Sequence, residues 1–135
     1  WDVLTDPGFP LAHDGAAPPS WTLAPDSFPV VRYDGNLQAD WSWSGQGVLI
    51  VTGSFQPWWG FWWEGIILAG SLNTSYTFTP LSLRGMLITG LNGTGEGTIR
   101  FKGFTDVYYH SCFVEAANRS LAYLEPVEDG YWEGY

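Results

Sequence analysis

One cysteine in 135 residues, Cys112, excludes an intrachain disulfide, so the fold has to be held by its core. That thiol is expected to be a buried strand residue, as free cysteines usually are. Cations are scarce as well, with five Lys and Arg against fourteen Asp and Glu and a net charge of −9. A groove that tracks phosphates needs the opposite sign, so nucleic acid is not an expected partner. No apolar run approaches the roughly 20 residues of a membrane helix, and no membrane span is expected. Met is absent from position 1, where Trp1 stands, so the expectation is either a processed or excised product or an incompletely known sequence. Sequence signals for helix are also few, with a single short turn expected around Glu115 to Asn118.

Aromatic residues, by contrast, make up 18% of the chain and outnumber the charged ones at 14%, a balance that excludes disorder and demands extensive buried or interfacial surface. Six of the nine tryptophans lie between positions 41 and 63, and Pro57 to Glu64 reads Pro-Trp-Trp-Gly-Phe-Trp-Trp-Glu. In an extended strand alternate side chains share a face. Trp59, Phe61 and Trp63 then form a continuous inward face. Trp58 and Trp62 point outward with a gap at Gly60, and Trp41 and Trp43 extend that outer platform. Tyr108 or Tyr109 is a further candidate from a neighbouring strand. Trp41, Trp43, Trp58, Trp62 and Tyr109 are the expected ligand- or partner-binding residues.

Strand-forming runs fill the rest: 30–33, 37–44, 47–55, 58–68, 75–79, 83–91, 97–104, 107–114 and 120–124. They are punctuated at Asp34-Gly35-Asn36, Ser44-Gly45-Gln46-Gly47, Asn92-Gly93-Thr94-Gly95 and Asp129-Gly130. Nine short strands between turn signals predict an all-β chain: a single antiparallel β-sandwich of jelly-roll type with almost no helix, spanning 1–135. Residues 1–29, with six of the nine prolines, are expected to be an irregular leading segment wrapped over an edge. Tyr76, Phe78, Leu87, Ile99, Phe101, Phe113 and Leu121 are expected in the core.

Local motifs carry a resemblance. Leu4-Thr5-Asp6-Pro7-Gly8-Phe9, Pro19-Ser20-Trp21-Thr22, Leu68-Ala69-Gly70 through Ser75-Tyr76-Thr77-Phe78, and the tail Ala122 to Glu125 and Gly130 to Glu133 resemble, in that order, carbohydrate-binding modules of the family 4/9 jelly-roll type. Similar domains occur on phage tail and other virion proteins. The resemblance implies a structural calcium near both ends, for which Asp6 and Glu133 are the candidates. Pro10 and Glu133 depart from the family's acid and Asp, so no cofactor is the expectation and calcium the alternative.

Catalytic patterns are weak. Glu64, Glu96 and Glu115 show no spacing that singles out a glycosidase pair. His13 and His110 are isolated from one another, and no nucleophile elbow or phosphate loop is present. Asn73, Asn92 and Asn118 head N-glycosylation sequons, three of the four asparagines. The expected function is therefore non-enzymatic: a virion-surface or tail module that packs on neighbouring subunits as a homo-oligomer and contacts host glycans. The alternative is a secreted lectin-like module that binds polysaccharide. Either places the chain on a virion or outside a cell.

Overall fold

The computed structural model describes residues 1–11, 13–15, 25–73, 81–93 and 105–121. A four-residue helix, α1 (Asp2–Thr5), precedes strands β1 (His13–Asp14), β2 (Val30–Tyr33) and β3 (Leu37–Ala39), and a 3-10 turn at Trp41–Trp43 follows. Two long strands, β4 (Gly45–Pro57) and β5 (Phe61–Leu72), lead to β6 (Leu81–Ile88), β7 (Thr105–Tyr108) and helix α2 (Ser111–Leu121). Every strand pair is parallel, in the order β1-β2-β4-β5-β6-β7, with β3 also on β4. The expected antiparallel jelly-roll sandwich is therefore incorrect, and so is the near-absence of helix.

Register explains the architecture. Val48 lies beside Val30, Ile66 beside Val48 and Met86 beside Ile66, so the chain returns to the same place after 18, 18 and then 20 residues. Parallel strands ordinarily need a crossover of a dozen or more residues. Only Trp58 to Gly60 separate β4 from β5, so the strands themselves bend and make the circuit. The result is a β-solenoid whose coils stack one strand spacing apart.

The turn signal at Asp34-Gly35-Asn36 is a corner of this coil. Gly35 N donates to Thr52 Oγ1 at 2.8 Å, Gly53 N to the Gly35 carbonyl at 3.0 Å, and Ser54 N to Asn36 Oδ1 at 2.8 Å. Those bonds join successive coils rather than the two arms of a hairpin. A second corner runs through Gly47, Gly65 and Gly85, all at positive φ. A Cβ on Gly65 would sit 2.2 Å from the Gly47 carbonyl oxygen, and one on Gly85 1.8 Å from that of Gly65. Only glycine permits so close an approach.

The coil encloses one core. Val31, Leu37, Ala39, Trp43, Leu49, Val51, Phe55, Phe61, Trp63, Ile67, Ala69, Leu81 and Leu83 pack together inside it. Their alternate neighbours Val48, Ile50, Ile66 and Leu68 point outward yet are also buried, under Ala117, Val114 and Leu121 of α2 and under Trp1, Leu4, Phe9 and Phe28 of the leading segment. Apolar runs such as Val48-Leu-Ile-Val51 are thus continuous because both faces are covered, the usual condition of a parallel sheet. Arg32 fixes the leading segment on that face: it is buried, and its guanidinium donates to the Asp6 carbonyl at 2.8 Å. That segment covers a face, beyond the edge expected of it, although β1 does pair along β2.

Residues 107–114, expected to be a single strand, divide into the end of β7 and the start of α2. Val114, Ala117 and Leu121 recur at helical spacing and give α2 its apolar face. Phe113, Leu87 and Leu121 are half-buried rather than central. Cys112 is exposed on α2 and not buried in a strand. Tyr76, Phe78, Ile99 and Phe101 lie outside the described residues.

Candidate functional site

Trp41 and Trp59 occupy the third corner of the coil, in successive turns. Trp41 N donates to the Trp59 carbonyl at 3.1 Å, and Trp58 N to that of Ala39 at 2.6 Å. Asp40 caps the 3-10 turn, its Oδ1 accepting from Ser42 N at 2.8 Å. That turn interrupts the two-residue alternation, so Trp41 and Trp43 do not share a face. Trp41 is 71% exposed while Trp43 is 5% exposed, buried against Tyr33 in an edge contact at 5.4 Å. In the next coil Gly60, at φ +72°, turns the chain before β5 starts. Trp59 therefore lies in a turn, and it is 66% exposed instead of facing the core. Trp58, expected outside, is half-buried.

Beyond Gly60 the alternation holds. Phe61 and Trp63 point inward, ring planes nearly parallel at 6.3 Å, and the Trp63 indole N–H donates to the Gly47 carbonyl at 3.2 Å. Trp62 and Glu64 point outward. The outer face continues across the coils: Trp62 is paired with Ser82 and Ser82 with Asp106, while Glu64 is paired with Arg84 and Arg84 with Tyr108. Arg84 donates to Glu64 Oε1 at 3.2 Å. Ser82, Arg84, Asp106 and Tyr108 are all exposed.

Sequence reasoning missed Trp59, Ser82 and Arg84 as surface partners of this region. Glu64 and Arg84 stand twenty residues apart, a relation visible only once the coil length is known. Tyr109 is 70% exposed but lines a different feature, a groove of about 550 Å³ between α2 and the outer side of Ile66, Leu68, Met86 and Ile88. The five expected contact residues are thus divided: Trp41 and Trp58 at the corner, Trp62 on the outer face, Tyr109 at the groove and Trp43 in the core.

Two of the acids considered for catalysis are held in ion pairs. Glu64 pairs with Arg84, Glu115 pairs with Arg119 within α2, and Glu96 is outside the described residues. His110 packs on Phe113 at 4.3 Å. Asp6 is exposed, its Oδ1 accepting from Gly8 N at 2.6 Å, and Glu133 lies outside the described residues. Among the described residues no three potential metal ligands gather, and no helix is long and apolar enough to cross a membrane. No protein-family model, no curated protein and no solved structure matches this chain.

Proposed function

We propose that the chain is a non-enzymatic structural module on the outside of a particle or cell, and that it packs on a neighbouring copy through the Trp41–Trp59 corner. The observation that carries this is the exposure of two tryptophans, 71% and 66%, in adjacent coils whose backbones are hydrogen-bonded to each other. Rings of that size left in water favour burial against a partner, and tryptophan is the residue most enriched where interfaces gain their energy. The jelly-roll resemblance lends no support, because the strands run parallel. An exterior setting is supported by the paucity of cations and by three sequons, of which Asn92 and Asn118 are exposed. A secreted glycan-binding role is favoured by a different face, the one bearing Trp62.

Sedimentation velocity tests the proposal. The wild type is expected to self-associate with rising concentration, and the double variant Trp41→Ala/Trp59→Ala to stay monomeric with an unchanged melting curve. A wild type that is monomeric throughout, or a double variant that associates equally well, overturns it.

A further inference from the structure

We infer that the outer face of β5, β6 and β7 binds a neutral polysaccharide, with Trp62 and Tyr108 as stacking platforms and Glu64, Arg84, Ser82 and Asp106 as hydroxyl partners. This rests on the exterior placement proposed above, but not on the corner contact.

Geometry comes first. Trp62 is two strands and one same-face residue step away from Tyr108, which places the two positions about 12 Å apart on the pleated surface. That is on the scale of a disaccharide. Both rings stand on the outward side of paired strands, with Trp62 40% and Tyr108 64% exposed. The flat, electron-rich faces of such rings suit the C–H faces of pyranoses, while their polar tips tolerate water.

Chemistry between the rings points the same way. Glu64 and Arg84 hold each other at 3.2 Å, 23% and 60% exposed, and Ser82 and Asp106 stand in the adjoining column. An ion pair, a hydroxyl and a second carboxylate offer fixed donors and acceptors of both kinds, and charged groups make strong hydrogen bonds to sugar hydroxyls. The same residues argue against a protein partner, since charged side chains are depleted at the centres of protein interfaces. They argue equally against an anionic polymer. Among the described residues the only cation on this face, Arg84, is already matched by Glu64, Asp106 adds a negative charge, and the whole chain carries −9.

Native affinity gels cast with a mixed-linkage β-glucan, a mannan or a galactan, and with hyaluronan as the anionic control, test the assignment. At least one neutral polymer is expected to retard the full chain and hyaluronan not to. Retardation should weaken at least tenfold in Trp62→Ala and in Tyr108→Ala, both with wild-type melting curves, and persist in Trp41→Ala/Trp59→Ala. Absence of retardation by all three neutral polymers, equal retardation by hyaluronan, or indifference to both ring variants overturns the inference. Loss of binding only in the corner double variant also overturns it, by placing the glycan at the corner. Self-association is read separately, so failure here leaves the corner proposal standing and failure there leaves this one.

Discussion

At the corner built from Gly47, Gly65 and Gly85, successive coils approach until a single Cβ would overlap the carbonyl beneath it. At the corner built from Trp41 and Trp59-Gly60, the same 18-residue step leaves 3.7 Å between the Cβ of Trp41 and one added to Gly60. The first corner has residues that the stacking dictates. The second has residues that the stacking merely allows, and there the chain carries the two most exposed tryptophans among the described residues. A repeated corner filled by glycine reports on packing, and one filled by bulk in water reports on what the surface is for.

Substitutions can separate the two corners. Gly65→Ala is expected to have the largest effect, more than about 4 kcal/mol in urea titration, because it meets backbone at 2.2 Å with φ at +130°. Stability within about 1 kcal/mol of wild type would show that the coils can part there. Phe61→Ala removes a ring buried to 1% exposure between Phe55 and Trp63, and about 3–5 kcal/mol should be lost through the cavity left behind. Gly60→Ala, by comparison, has room for its methyl but keeps φ at +72°, so its cost should be only about 1–2 kcal/mol. If Gly60→Ala were to cost as much as Gly65→Ala in the same titration, the contrast between the corners would fail.

Part of this was legible from residues alone. The bounds of Val30–Tyr33 and the inward pair Phe61 and Trp63 follow from β-branched content and strict alternation. Trp43 and Trp59 were misplaced because alternation applies only within a strand, and each lies in or beside a turn that resets it. The parallel coil was present as Gly47-Val-Leu-Ile-Val51, Gly65-Ile-Ile-Leu-Ala69 and Gly85-Met-Leu-Ile-Thr89, a repeat whose spacing equals the later register. Reading each run singly hides that repeat, and Gly and Asn between runs then pass for hairpin turns. Helix α2 was legible only as the short turn expected around Glu115 to Asn118, because Val114, Ala117 and Leu121 follow aromatic residues typical of strands. The Glu64–Arg84 pair could not be found from local patterns, since only the coil length brings them together.

Stacking by short circuits also governs how such a chain reaches its native state. Each described coil rests on the one made 18 to 24 residues earlier, from Val30 beside Val48 to Leu81 beside Thr105. Loop-closure entropy rises only slowly with length, so every added coil faces nearly the same entropic barrier and receives nearly the same reward on closing. Folding is therefore expected to spread as a one-dimensional front from whichever pair of coils closes first. The tight β4–β5 junction, linked by only three residues, is the natural place for that front to start.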